Sequence, residues 1–155
     1  MCAFERSEKG MEFFMDDYVF SSNLLYENLN ILKQTYPFVQ TGSAGKSIMG
    51  KNISYVKVGR GPKEVFYSAS YHANEWITSI VLLEFLYEYC SAIQNNSTIF
   101  GFPAQRLFET VSIYVMPMVN PDGVDLIFTV IFTPDLVTLL IQLFHLSNHL
   151  YNLIY

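Results

Sequence analysis

The residues with the clearest chemical potential are His72 and Glu75, which lie three positions apart in the segment SASYHANEWIT. On a helical turn this spacing places both side chains on the same side of the backbone. An imidazole nitrogen and a carboxylate oxygen can then bind one cation, and such mixed donors suit zinc. The structural alternative is a surface histidine beside a glutamate favoured by the helix dipole at a helix N-terminus. On the pair alone, this structural interpretation is favoured.

The elements around this pair alternate between strands and helices. Apolar periodicity and turn residues predict helices at 23–36, 74–89 and 104–109, strands at 53–58, 64–70 and 111–118, loops at 42–51 and 94–101, and a tight turn at 120–123. The first two strands are predicted to form a hairpin, and the apolar run at 111–118 a central strand buried on both faces. This alternation indicates an α/β layered sheet, in which His72 and Glu75 face the crevice at the carboxyl end of a strand.

Composition limits the possible partners and the number of domains. A chain of 155 residues is expected to form one domain with a real core. Lys and Arg number 9 against 14 Asp and Glu, for a net charge of -5, and there is no basic cluster. We therefore expect no nucleic-acid partner. The N-terminus carries charges where a signal peptide needs an apolar run, so we expect a cytoplasmic protein.

Two further candidate sites are rejected. The segment TGSAGKS at 41–47 has the glycines and lysine of a phosphate loop, but glutamine stands where that loop needs its first glycine. Cys2 and Cys90 are too few and too far apart for a disulfide framework or a metal cluster. Neither nucleotide binding nor thiol chemistry is expected.

Three stretches together resemble the zinc carboxypeptidase family, the carboxypeptidase A-like metallopeptidases. They are GKSIMGK at 45–51, YHANEWI at 71–77 and MPMVNPDGVD at 116–125. The similarity is greatest to the bacterial branch that includes γ-D-glutamyl-diamino acid endopeptidases, and it covers residues 18–126. The resemblance implies a three-layer α/β/α fold with a mixed sheet, present here as an incomplete domain with an apolar C-terminal helix.

The resemblance also implies a chemistry. His72 and Glu75 would be zinc ligands, and a second histidine from far downstream would complete the site. Zinc would acidify a water and polarise the scissile carbonyl, with a distant glutamate as general base and an arginine steadying the oxyanion. Substrates would be peptides or peptidoglycan stem peptides. Residues 120–123 would form a structural turn beside the site, and Trp76 would pack in the core beneath the metal.

The tail at 127–155 departs from the family pattern and is predicted to be an unmatched apolar helical segment. It contains no Arg and no Glu, so it supplies neither an oxyanion arginine nor a general base. His145 and His149 are its only candidate zinc ligands. Residues 136–155 are long enough to span a bilayer, but their polar side chains make insertion costly, so packing or self-association is favoured. The tail could also be the out-of-frame end of an interrupted gene.

Two functional hypotheses follow. The first is a truncated zinc metallocarboxypeptidase-like hydrolase of peptide or cell-wall γ-glutamyl amide bonds that is inactive as an isolated chain, with no catalytic residue assigned. The alternative is a non-catalytic interaction or membrane-associated module derived from a metallopeptidase half-domain.

Overall fold

The structure is a computed structural model that describes residues 20–132. Within this range the chain forms six strands, four α-helices and one 3₁₀ turn. The helices are α1 (Ser22–Thr35), α2 (Trp76–Gln94), α3 (Ala104–Thr110) and α4 (Pro121–Phe132), and the 3₁₀ turn is Ala73–Glu75. The strands are β1 (Gln40–Lys46), β2 (Asn52–Val58), β3 (Lys63–Ser68), β4 (Thr98–Ile99), β5 (Phe102–Pro103) and β6 (Val111–Met116).

Four of these strands form one mixed sheet in the order β1-β2-β6-β3. Strand β2 is antiparallel to both β1 and β6, whereas β3 is parallel to β6. The apolar strand β6 is therefore interior, as its sequence predicts. The α/β class and the mixed sheet are confirmed.

The predicted hairpin between the strands at 53–58 and 64–70 is wrong. Strand β6 lies between them, because Val56 pairs with Val115 of β6 and Val65 pairs with Ile113 of β6. The turn after β2 crosses the chain where α3 leads into β6, and the Arg60 N–H donates to the Phe108 carbonyl of α3 at 2.8 Å. The alternation of side chains along a sequence identifies a strand but does not specify the strand with which it pairs.

The segment predicted as a loop at 42–51 contains most of β1, which forms the true hairpin with β2. Glycine and serine are poor strand formers, so local propensity gives no sign of this edge strand. A Cβ at Gly42 would lie 2.5 Å from the tip of the Tyr55 ring, so a larger residue there requires this ring to move. The predicted loop at 94–101 likewise includes β4, which pairs with β5 in a second, two-stranded sheet.

The core lies on one face of the four-stranded sheet. Helices α1 and α2 bury leucines against the inward-facing valines and isoleucine of β2 and β6: Leu25, Leu29, Leu32, Leu83, Leu86, Val56, Val58, Ile113 and Val115. The opposite face is more open, since Phe66 is 55% exposed and borders a cavity of about 430 Å³ with Tyr55 and Tyr114. On the core face of β6, Ile113 and Val115 are buried, whereas Tyr114 and Met116 on the other face are only partly buried, which corrects the prediction for 111–118.

Helix α2 is largely apolar, although it carries Glu84 and Glu88. Residues Ala73–Gln94 are long and apolar enough to cross a membrane by length and composition, a property shared with core helices of soluble proteins. Leu83, Leu86 and Cys90 of this helix are fully buried in the core, so we interpret it as a core helix. The predicted helix at 136–155 lies outside the described residues.

Helix α4 begins where the sequence predicts a tight turn. The Asn120 side-chain oxygen accepts a hydrogen bond from the Gly123 N–H at 2.9 Å, and Pro121 occupies the first helical position. Both are helix-start signals, so the four residues 120–123 form an N-cap and a first turn. The sequence of these four residues is compatible with a tight turn and with a helix start. The structure shows the helix start, so the predicted tight turn is corrected.

Asp125 of α4 anchors the beginning of α1. Its carboxylate accepts from the Ser22 N–H at 2.7 Å and from the Ser22 hydroxyl at 2.6 Å, and it pairs with the Lys51 ammonium. Burial raises the pKa of the Asp125 carboxyl, but the hydrogen bonds from Lys51 and Ser22 outweigh it and leave this pKa below its ordinary value. Asp125 therefore stabilises the fold in its ionised form.

We expect Asp125→Ala to lower the free energy of unfolding by about 2 kcal/mol, because buried Ser22 loses a charged acceptor. Since the folded pKa is lowered, this stabilisation is present above the unfolded pKa of about 3.9 and is lost as pH falls through the folded pKa. Urea unfolding between pH 3 and 7 measures both effects. The exposed helical carboxylate Glu27, replaced by alanine, is the control. An equal loss in both variants contradicts the anchoring role.

Candidate metal centre

The two candidate ligands lie just beyond the carboxyl end of β3. The chain leaves β3 at Ser68, passes through residues 69–72 and enters the 3₁₀ turn that carries Glu75 into α2. Because β3 is parallel to β6, the carboxyl ends of both strands meet at this edge of the sheet. Open α/β sheets bind ligands at this edge, so the placement agrees with the prediction.

His72 and Glu75 are in direct contact. The His72 Nδ1 atom lies 2.8 Å from Glu75 Oε1, and the His72 backbone N–H donates to Glu75 Oε2 at 3.2 Å. The side chains are 78% and 43% exposed, respectively. Both are therefore open to an ion from solvent.

Hydrogen bonding keeps the Glu75 carboxyl ionised. The hydrogen bond with the His72 side chain, and then the one from the His72 backbone, hold the pKa of Glu75 below its ordinary value. A carboxyl group binds a metal in its deprotonated form. A glutamate is already ionised at neutral pH, and the lowered pKa extends this charged form to more acidic solution.

The contact distance is compatible with shared binding of one ion. Tetrahedral zinc with bonds of about 2.0–2.1 Å needs neighbouring donor atoms about 3.3 Å apart. The observed 2.8 Å separation between Nδ1 and Oε1 needs only a small opening, which the exposed side chains permit. The pair therefore fits two positions of a zinc site by donor type and by distance.

Residues 20–132 bring no third ligand to the pair. Within that range no group of three His, Cys, Asp or Glu side chains could hold a metal ion. The predicted substitutes His145 and His149 lie outside the described residues. Residues 20–132 therefore supply two candidate ligands of the proposed site and no third one.

Residues 116–120 support the turn that carries the ligands. The Ala69 N–H donates to the Met116 carbonyl, the Val119 N–H to the Ala69 carbonyl, and the Asn120 N–H to the Ser70 carbonyl, at 3.0–3.1 Å. The segment predicted to lie beside the site is thus bonded to the residues directly before His72. Trp76 is partly buried and packs against the core, as predicted.

The first and third of the motifs identified in the sequence are also in contact. The Ser47 hydroxyl donates to Asp122 Oδ1 at 2.9 Å, and the Met49 N–H donates to Asp122 Oδ2 at 3.0 Å. The Lys51 ammonium forms ion pairs with both acidic side chains of the third motif. It lies 3.8 Å from Asp122 Oδ1 and also contacts the Asp125 carboxylate. These contacts fix α4 to the β1–β2 connection.

Sequence comparison assigns the family. The sequence model of the zinc carboxypeptidase family matches residues 25–139. This chain belongs to the zinc carboxypeptidase family. The resemblance carried by the three motifs is confirmed, and the candidate ligands His72 and Glu75 lie within the matched range.

Two bacterial relatives of this zinc carboxypeptidase chain are informative. The uncharacterized protein YqgT of Bacillus subtilis is 39% identical over 111 residues, which cover 70% of this chain and 30% of YqgT. Gamma-D-glutamyl-L-diamino acid endopeptidase 1 of Lysinibacillus sphaericus is 37% identical over 105 residues, which cover 68% of this chain and 26% of that protein. The chain thus spans about 30% or less of the length of these relatives.

Solved structures agree on the fold. Bovine thrombin-activatable fibrinolysis inhibitor, in complex with tick carboxypeptidase inhibitor, superposes with a TM-score of 0.58 at 25% identity, over 69% of this chain and 33% of that one. A metallo-carboxypeptidase from Burkholderia cenocepacia superposes with a TM-score of 0.57 at 21% identity, over 68% of this chain and 28% of that one. The described part of the chain is therefore a partial carboxypeptidase fold.

The predicted boundary at Leu126 stays a prediction. The family match continues to residue 139, and α4 runs without interruption across 126.

Proposed function

We propose that this chain carries part of the zinc site of a hydrolase that cleaves peptide or γ-glutamyl amide bonds. The observation that carries the proposal is the contact between His72 Nδ1 and Glu75 Oε1 at the carboxyl end of β3. A zinc carboxypeptidase chain with an exposed imidazole–carboxylate pair at this edge has the donor set that zinc prefers.

The residues of this chain contribute binding and placement of the metal. His72 would supply a ring nitrogen and Glu75 a carboxylate oxygen, and the two atoms already lie 2.8 Å apart. A bound zinc ion supplies activation of a water and polarisation of the scissile carbonyl. Both side chains are open to solvent, so a water or a substrate could approach them.

The substrate class follows from similarity to one relative in particular. The Lysinibacillus protein is named a γ-D-glutamyl-L-diamino acid endopeptidase, and its identity of 37% supports a cell-wall stem peptide as the substrate. The other relatives include carboxypeptidases, which supports peptide amides as the second class. Both classes present an amide carbonyl to the metal.

We expect no peptidase activity from the purified 155-residue chain, because its described part brings two ligands and its tail contains no Arg or Glu. The test is hydrolysis of a blocked dipeptide and of a γ-D-glutamyl-diaminopimelate peptide at saturating zinc, with His72→Ala as control. No zinc-dependent product from either protein is the expected outcome. Zinc-dependent turnover that disappears in His72→Ala contradicts the proposed inactivity of the isolated chain.

The alternative function, a non-catalytic interaction module, is favoured by the open sheet face. Phe66 and the edge strand β3 are exposed, and the adjoining cavity is lined largely by aromatic and apolar side chains. Sedimentation of Phe66→Ser beside the unchanged chain tests this function. A self-association that the substitution abolishes supports the module, whereas identical sedimentation of both proteins contradicts self-association through this face.

A further inference from the structure

Ser70, two residues before His72, has a backbone conformation that is unusual for serine. Its φ is +51°, in the left-handed region, and its side chain is buried at 1% exposure. This region costs roughly 1–2 kcal/mol for a residue with a Cβ. Such a conformation persists where surrounding bonds hold it.

Three bonds fix the backbone at Ser70 and at the residues that follow. The Ser70 N–H donates to the Thr78 hydroxyl at 3.1 Å, and the Ser70 carbonyl accepts from the Asn120 N–H at 3.0 Å. The Thr78 hydroxyl in turn donates to the Glu75 carbonyl at 2.6 Å. The Ser70 backbone is therefore connected to the residue that carries the ligand carboxylate.

Two buried hydroxyl groups connect this turn to the end of β6. The Ser79 hydroxyl donates to the Pro117 carbonyl at 2.6 Å, which uses its only proton. In the 2.6 Å contact between the two hydroxyls Ser70 is then the donor, and the Glu75 carbonyl at 3.1 Å is a second, longer acceptor for the same proton. The result is a directed chain from Ser70 to Ser79 to the Pro117 carbonyl, in which Ser79 is 0% exposed.

We propose that the Ser70–Ser79 hydroxyl pair positions His72 and Glu75 for metal binding. The inference rests on the proposed zinc function. The two ligands are exposed and carry little packing of their own, so their separation depends on the turn beneath them. The buried hydroxyls of Ser70 and Ser79 stabilise that turn and contact neither ligand side chain. Ser70 and Ser79 are therefore positioning residues.

The test compares Ser79→Ala and Ser70→Gly with Ser112→Ala. Ser112 is a matched control, because it is 2% exposed and its hydroxyl also donates to a backbone carbonyl, that of Gly61, at 2.8 Å. Ser70→Gly removes the hydroxyl and relieves the backbone conformation, so it keeps the fold. We expect zinc affinity, measured by calorimetry, to fall about tenfold in both site variants and to stay unchanged in Ser112→Ala.

A second readout needs no metal. The ¹⁵N shifts of the His72 ring report its hydrogen bond with Glu75, and we expect them to change in Ser79→Ala and Ser70→Gly but not in Ser112→Ala. Unchanged zinc affinity and unchanged ring shifts in the site variants overturn the positioning role. If the unaltered chain binds no zinc while the ring shifts respond as expected, the proposed zinc function fails and the positioning of the pair stands.

Discussion

Replacing Gly61 with alanine is expected to lower the free energy of unfolding by about 4 kcal/mol or more. A Cβ at this position would lie 1.8 Å from the Thr110 carbonyl carbon and 2.1 Å from the Val111 backbone nitrogen. Both are backbone atoms at the junction of α3 and β6, so no side-chain rotation relieves the clash. The substitution must displace the central strand from its place beside β2 and β3.

Urea unfolding at neutral pH measures this effect, with Gly50→Ala as the control. Gly50 has a φ of +81°, but no atom lies within 4 Å of the place that an alanine methyl group would take there. Alanine at this position therefore costs only the roughly 1–2 kcal/mol of the left-handed conformation. A loss at Gly61 no larger than that at Gly50 contradicts the close crossing of this turn over β6.

The topology explains why this glycine is needed. The turn between β2 and β3 passes over β6, and the Ser112 hydroxyl of β6 binds the Gly61 carbonyl at 2.8 Å. The neighbouring Gly59 has a φ of +105°, and a Cβ there would lie 2.1 Å from the Val111 carbonyl oxygen. Two glycines around Arg60 therefore permit a backbone-to-backbone approach that any side chain would prevent.

Replacing His72 with alanine is expected to lower the zinc affinity of the chain by more than about 100-fold, a larger loss than changes around a metal site usually cause. With His72 removed, Glu75 is left as the one proposed protein ligand among residues 20–132. Calorimetric titration with zinc measures the change. Glu75→Gln, which keeps the size of the side chain and removes its charge, is expected to act in the same direction.

The same two substitutions are expected to change the free energy of unfolding by less than about 0.5 kcal/mol, since both side chains are exposed. This separates loss of a ligand from loss of the fold. His145→Ala and His149→Ala serve as controls for the remaining histidines of the chain. If those controls lose zinc binding and His72→Ala keeps it, the metal site lies elsewhere.

Much of the fold can be predicted where the pattern is strong. Helix α1 has the Ser21 cap and the leucine spacing that the sequence shows, and the Ser21 hydroxyl does accept from the Leu24 N–H. Strand β6 is interior, as its apolar run predicts, and it pairs with β2 on one side and with β3 on the other. The positions of His72 and Glu75 after β3 follow from the same reasoning, since a strand is succeeded by a long apolar helix.

Other features are fixed by contacts between distant residues. Strand β1 is rich in Gly and Ser, and it is a strand because β2 pairs with it and because the Tyr55 ring covers Gly42. The hairpin prediction fails because β6 inserts between β2 and β3. The serines beneath the site, Ser70 and Ser79, have no motif of their own, and their role depends on a contact with Pro117 that is 38 residues away from Ser79.

The most direct measurement for the zinc site is an NMR titration of the histidine rings with zinc. The chain has three histidines, so its ring nitrogens give three resolvable sets of signals, from His72, His145 and His149. We predict that the His72 ring signals shift on addition of zinc, that Glu75→Gln weakens this response, and that the other two rings are unaffected. Zinc-induced shifts confined to His145 and His149, with His72 unchanged, contradict the assignment of His72 and Glu75 as the metal ligands.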